Sequence, residues 1–244
     1  VHRFFVPPEW ITPPAIQLQG HAARQIKTVL RMQAGDELVV LDNSGLEWQV
    51  KITRMGKEVI EAQIVNRQPA QGEPLLQITL YQGTLKGQKF EWVLQKGTEL
   101  GISRFVPVLC ERSVVNKVDA LTKKYTRWQE IIREAAEQSH RGKLPVLEPP
   151  LTLTDAVKQA QPDSLMIMPW ETASGASLKS ILFSVKANTI SVFIGPEGGF
   201  TGQEAALVRQ AGGRVVKLGP RILRAETAGL AVCSAILFAG GEWG

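Results

Sequence analysis

Residues 189–204 read "TISVFIGPEGGFTGQE", and three local signals follow one another in them. The run Thr189–Phe193 is β-branched and aromatic, so it reads as a strand. "IGPEGGF" (194–200) then places three glycines and a proline in five residues, with Glu197 among them. Thr201 follows as a helix cap, with Glu204 at the N3 position of a capping box. A strand, a glycine-rich turn and a capped helix suit a nucleotide-like ligand. The same arrangement also serves simply to turn a corner.

The surrounding sequence repeats this alternation. Strands are expected at "LLQITLYQG" (75–83), "ISRFVPVLC" (102–110), "SLMIMPW" (164–170) and "RVVKLG" (214–219). Helices are expected at 86–101, 123–140, 152–160, 177–185, 202–211 and 226–239. The strongest is 123–140, where Trp128, Ile131, Ile132, Ala135 and Ala136 form one apolar stripe. Such alternation predicts an α/β domain on a largely parallel sheet over residues 71–244.

Residues 1–70 have a different texture. Leu38–Leu41, Glu47–Ile52 and Val59–Val65 read as short strands, with turns at 43–45 and 55–57 and a single helix near His21–Leu30. So few strands gain a core by curling, which predicts a small β-barrel. "NRQPAQGEP" (66–74) reads as the linker.

The 244 residues suffice for one large or two modest domains, and 44% apolar with 21% charged residues is an ordinary soluble composition. No apolar run reaches membrane-spanning length, and "VHRFFVPPEW" lacks a signal-peptide core. Two cysteines, Cys110 and Cys233, with three scattered histidines make neither a disulfide scaffold nor a zinc motif, so a reduced cytoplasmic setting is expected. The net charge is +5, and the excess is concentrated in 71–143, with 12 basic against 8 acidic groups. That bias suits a polyanion footprint or a plain solvated surface.

In an open parallel sheet, ligands gather beyond the carboxyl ends of the strands. Three loops fall there: "IGPEGGF", "LGPRILRAETAG" (218–229) and "MPWETAS" (168–174). None has a GxGxxG or P-loop spacing. Their glycines would let backbone read the edge of a flat ring such as adenine, or they only make turns. Glu197 and Glu226 stand at expected helix starts, where capping competes with ligand contact. Arg221 and Arg224 would hold a phosphate or an electron-rich base, or are solvated. Glu134 and Gln138 share a helix side, with Arg141 just beyond its end.

Set together, "HRFFV" (2–6), "VLR" (29–31), "KGQKFEWVLQKGTELG" (86–101), "RS" (112–113), "EAAEQSHR" (134–141), "IGPEGGFTGQE" (194–204) and "LGPRILRAETA" (218–228) closely resemble the ribosomal RNA small subunit methyltransferase E family, within the knotted SPOUT methyltransferases. The matches span the whole chain, and the last two together are highly specific. The resemblance implies a PUA-like β-barrel over 1–70 and a SPOUT-type α/β domain with a deep trefoil knot over 71–244. It implies methyl transfer from S-adenosylmethionine, leaving S-adenosylhomocysteine, to N3 of a uridine near the 3′ end of bacterial 16S rRNA, position 1498 in the usual rRNA numbering. No metal is implied. The expected setting is rRNA processing and ribosome biogenesis in the cytoplasm, on 16S rRNA within the 30S subunit, by a homodimer without a membrane partner.

The same resemblance places the cofactor against Met168 and Pro169, against Ile194, Gly195, Glu197 and Gly199, and against Leu218, Gly219, Ile222, Leu223 and Arg224. For catalysis, either Glu197 or Glu134 takes the N3 proton, or Arg224 or Arg221 stabilises charge spreading onto O2 and O4. Arg3, Arg24, Arg31, Lys123, Lys124, Arg127 and Arg141 are expected phosphate contacts. The small-residue helix from Glu226 resembles the family's dimer-forming and knot-closing segment, although core packing in one subunit would look the same. Val1 at the start, Gly97 where alanine is frequent and Ala225 where threonine is common are small departures. Methylation of another RNA base, a non-catalytic RNA-binding role and a metabolite enzyme are the rival readings; intact cofactor loops and the basic middle disfavour the last two.

Overall fold

A computed structural model describes residues 1–160, 164–174, 176–184 and 187–243. The chain divides into two units, one of Val1–Glu73 with Arg133–Leu144 and the other of Pro74–Ile132 with Pro145–Gly244.

The first unit opens with β1 (Arg3–Phe5), β2 (Ile11–Thr12) and β3 (Ala15–Leu18). Helix α1 (Gly20–Arg24) continues as a wider turn through Val29, and β4 (Glu37–Leu41), β5 (Leu46–Met55) and β6 (Ile60–Pro69) follow. One six-stranded sheet results, in the order β1-β4-β5-β6-β3-β2, antiparallel except where β1 lies parallel to β4. Alternation along β5 sends Trp48, Val50 and Ile52 inward to meet Ile16, Leu18 and Leu38. The three strands expected near 38–65 are present. The expected linker is not wholly a linker: Asn66–Pro69 finishes β6, because its partners Leu46–Gln49 lie across the hairpin and satisfy it despite its proline and polar residues.

The second unit begins with β7 (Gln77–Gly83), α2 (Lys89–Leu100), β8 (Arg104–Leu109), α3 (Val118–Thr122) and α4 (Tyr125–Gln138). Then come β9 (Val146–Leu147), β10 (Leu151–Thr152), α5 (Leu153–Ala160), β11 (Leu165–Pro169), α6 (Leu178–Ser184), β12 (Thr189–Ile194), α7 (Gly202–Gln210), β13 (Arg214–Val216) and α8 (Ala225–Ala239). The seven strands run in the order β10-β8-β7-β12-β11-β13, with β9 beside β8, and every pairing is parallel. Both faces are covered, as parallel sheets require. α2 and α8 bury Phe90, Leu94, Val232 and Ile236 against Leu80 and Val192. α5 and α7 bury Val157, Ala205 and Val208 against Val106 and Phe193.

The strand–loop–helix unit that began the sequence reading is therefore β12, its loop and α7, in the centre of this sheet. Its capping box is made as expected: the Thr201 hydroxyl accepts from the Glu204 N–H at 3.3 Å, and the Glu204 carboxylate accepts from the Thr201 N–H at 2.8 Å. The expected helix 177–185 is α6; Val185 lies outside the described residues. α3 and the two-residue strands β9 and β10 have no counterpart in the sequence reading.

Helix α4 serves both units. Its first half buries Trp128 and Ile132 in the core of the second, while Ala136 packs with Phe5, Val39 and Leu41 in the first. There the helix covers the free edge of β1. The Phe5 N–H donates to the Glu137 carboxylate at 2.8 Å, and the Arg133 guanidinium donates to the Phe5 carbonyl at 3.5 Å. Two side chains thus replace a missing neighbour strand. Just beyond the helix, Arg141 holds Glu73 through Nε and Nη2 at 2.8 and 2.9 Å, and Glu73 also accepts the Gly142 and Lys143 N–H groups.

Candidate active site

The sheet order puts the ends of β12, β11 and β13 side by side, so the three loops singled out in the sequence arise from neighbouring strands. The Trp170 N–H donates to the Val216 carbonyl at 3.0 Å, and the Trp170 indole donates to the Phe200 carbonyl at 3.1 Å. The loop after β11 is tied in this way to both of its neighbours.

The loop after β12 turns on a Gly199 N–H to Pro196 carbonyl bond of 2.9 Å. Gly199 has φ +69°, and a Cβ there would lie 3.1 Å from the Glu171 carboxylate. On the other side, the end of β7 closes in: a Cβ on Gly83 would lie 2.4 Å from the Pro196 nitrogen. From the loop after β8, Arg112 donates to the Gly198 carbonyl at 3.0 Å, and Glu111 is bound by both members of the capping box, its N–H to Glu204 and its carboxylate to the Thr201 hydroxyl. The ends of four strands, β12, β11, β7 and β8, therefore shape one glycine-rich wall.

Glu197 does not cap α7; Thr201 does. Its carboxylate accepts instead from the Lys86 N–H at 3.1 Å and from the Lys89 ammonium at 3.3 Å. Burial alone would raise its pKa, but these donors outweigh it and hold the carboxyl below the usual range. Lys89 also lies 3.7 Å from Glu226, in the first turn of α8. Two acceptor oxygens in this region are buried with no donor among the described residues: Glu226 Oε2 and Gln82 Oε1, the latter set against Gly229.

The other expected residues divide by burial. The side chains of Met168 and Ile194 lie in the core, while Pro169, Gly195, Leu218 and Gly219 are half-buried. Arg221, Ile222, Leu223 and Arg224 form an exposed stretch, Ile222 at 85%. Glu134 is exposed on the part of α4 that belongs to the first unit.

Two expected phosphate contacts need correction. Arg141 is only 2% exposed and spends its guanidinium on Glu73. Arg3 is largely buried and paired with Glu47 at 2.6 Å, a carboxylate that Gln68 also binds. Their partners lie 68 and 44 residues away in sequence, beyond any local pattern. Arg24, Arg31 and Lys123 are exposed, Lys124 half-buried, and Arg127 is exposed while paired with Glu91 at 2.9 Å. Lys117, Lys123 and Lys124 with Asp119 line an open depression of about 700 Å³.

Sequence reasoning missed Gln82, Gly83, Lys86, Lys89 and Arg112 as site residues. Three of them, Lys86, Lys89 and Arg112, sit in the stretches 86–101 and 112–113, which carry the available signal. Neither thiol is poised for chemistry, since burial pushes both Cys110 and Cys233 upward, the latter to about 12.

Comparison with known proteins adds a separate line. A family model described as an RNA methyltransferase domain matches residues 71–237, and one described as an RNA methyltransferase PUA domain matches residues 18–65. A ribosomal RNA small subunit methyltransferase E from Bacillus subtilis is 32% identical over 231 residues, covering 92% of this chain and 90% of that protein. Its counterpart from Synechocystis is 35% identical over 229 residues, covering 93% and 74%. A crystal structure of a ribosomal RNA small subunit methyltransferase E from Neisseria gonorrhoeae bound to S-adenosyl methionine matches with a TM-score of 0.88, at 31% identity over 97% of each chain.

Proposed function

The chain belongs to the ribosomal RNA small subunit methyltransferase E family, and from that premise we propose that it methylates N3 of one uridine, position 1498, in bacterial 16S rRNA, using S-adenosylmethionine. One observation carries the reading beyond family membership. The glycine-rich loop and the first turn of α8 meet at Lys89, in a region with two buried acceptors that lack a donor among the described residues.

S-adenosylmethionine fits that environment, because its amine, ribose hydroxyls and ammonium are all donors. The backbone of Met168, Pro169, Ile194, Gly195, Gly199, Leu218 and Gly219 would hold it, with Ile222 and Leu223 as apolar cover. When bound, the cofactor supplies a methyl group activated by a sulfonium and leaves as S-adenosylhomocysteine.

The protein's own part is to expose the base and adjust its acidity. The exposed Arg24, Arg31 and Lys123, with the half-buried Lys124, suit phosphate contacts around a uridine splayed from its stack. N3–H is a weak acid. The exposed guanidinium groups of Arg224 and Arg221 would stabilise the negative charge that reaches O2 and O4. Glu197 is poorly suited to receive the proton. A general base works best with a pKa near the operating pH, and Lys86 and Lys89 hold this carboxyl low.

The proposal includes a homodimer acting on the 30S subunit in the cytoplasm, and a trefoil-knotted SPOUT arrangement. Apolar exposure supports the dimer: Phe238 on α8 is 66% exposed and Phe183 on α6 74%. The chain route supports the knot, since from β13 at the sheet edge it returns to place α8 on β7, β12 and α2. Purified protein with methyl-labelled cofactor is expected to label 30S subunits from cells lacking the activity, with the label in 3-methyluridine. Label in any other nucleoside would remove the assignment.

A further inference from the structure

Lys89 stands in the first turn of α2, and its ammonium reaches two acids that belong to different segments of the candidate site. Glu197 comes from the loop after β12 and lies 3.3 Å away; Glu226 comes from the start of α8 and lies 3.7 Å away. The Lys86 N–H fixes Glu197 from the same turn that leads into α2. The lysine side chain is about one-third exposed, at 36%, so neither pair is a strong stabilising contact. What the arrangement does is geometric. One ammonium sits within 4 Å of two carboxylates, and neither makes another ion pair among the described residues, so without it the two like charges would be left uncompensated at close range.

We propose that Lys89 is a positioning residue for the methyl donor: by holding Glu197 and Glu226 together it sets the spacing between the glycine-rich loop and the first turn of α8. The inference rests on this pocket being the S-adenosylmethionine site. It does not require Lys89 to touch the reacting atoms. A purely structural lysine would affect stability and ligand binding together, whereas a spacer of this kind affects binding with little change in stability. Arginine, which keeps the charge and can reach both acids, would preserve its role. Neutralising Glu197 in a chain that lacks the lysine would relieve the repulsion and recover part of the loss.

The test compares the full chain with Lys89→Met, Lys89→Arg and the double variant Lys89→Met/Glu197→Gln, by calorimetry with S-adenosylmethionine and by amide hydrogen exchange without ligand. Lys89→Met is expected to weaken cofactor binding by roughly tenfold, the scale of losing a support behind a ligand-binding group. Its unfolding midpoint is expected to change little, and the amides of Gly198, Gly199, Thr227 and Ala228 are expected to exchange faster. Lys89→Arg should bind as the wild type does, and the double variant should fall between the two. In turnover, the Lys89→Met effect should appear in KM for the cofactor and leave kcat nearly unchanged. Unchanged exchange in Lys89→Met, failure of arginine to restore binding, or a loss confined to kcat each overturns the inference. A wild-type protein that does not bind the cofactor overturns the functional reading instead, and the ligand-free exchange still decides whether Lys89 holds the two walls.

Discussion

Gly83 and Pro196 meet backbone to backbone, and no side chain separates the end of β7 from the glycine-rich loop. A methyl group at position 83 would need the space of the Pro196 nitrogen and the Gly195 carbonyl carbon, 2.4 and 2.7 Å from where its Cβ would stand. Neither is a flexible side-chain end, so the loop itself must move. Gly83→Ala is expected to cost about 1–3 kcal/mol in urea unfolding, the range for overpacking a tight site, and to weaken S-adenosylmethionine binding as the loop shifts. Unchanged calorimetry would show that the loop tolerates displacement. At this scale the sequence was legible only where a residue's partner is near in the chain. Thr201 with Glu204 could be paired by eye, because a capping box spans three residues. Arg3, Arg141 and Glu197 could not, since each is claimed by a partner from a distant segment: Glu47, Glu73 and the Lys86–Lys89 turn. An arginine read as free for phosphate was in two cases already half of a buried ion pair.

The elements that could be read were those with a repeated pattern. β12 has an almost unbroken β-branched and aromatic run, and α4 carries an apolar stripe from Trp128 to Ala136; both are close to where the periodicity puts them. β1, β2, β9 and β10 have two or three residues each, too few for any period, and exist because a neighbour supplies their hydrogen bonds. α4 also shows what periodicity does not reveal, namely that its two halves serve different cores. Its Glu137 is largely desolvated, which raises its pKa; the Phe5 N–H and Arg133 pull it back down and Glu134 pushes it further up, leaving it at about 7 instead of the ordinary 4.5. The folded chain therefore keeps this proton through a range in which the unfolded chain has lost it. Stability from this group falls as the pH rises from 4.5 to about 7, and below 4.5 it is fully retained. Glu137→Gln is expected to flatten that part of the stability–pH curve by on the order of 2 kcal/mol. A slope that survives the substitution would assign it to other carboxylates.

For the whole molecule, the α/β character of 71–244 followed from alternation, and the structure's parallel sheet agrees with it. What the alternation could not supply is strand order, because β12 and β7 are adjacent although Ile194 stands 112 residues from its partner Gln82, and only packing decides such neighbours. The exposed apolar residues are also a whole-molecule property, since Phe238 and Phe183 lie in separate helices that bury their other faces in one core. If two copies cover them, Phe238→Glu is expected to convert the dimer to a monomer by light scattering and to lower methylation sharply. A wild-type protein already monomeric at micromolar concentration would remove the dimer from the proposal.

Residues 133–144 complete the first unit yet are encoded after most of the chain between β7 and α4. During synthesis, the outer backbone of β1 must therefore wait uncovered while about sixty intervening residues are made, several seconds at roughly 5–20 residues per second. An open strand edge held that long is a hazard for pairing with another nascent chain. Once the helix emerges, the Glu137 carboxylate and the Arg133 guanidinium close that edge by bonding to Phe5.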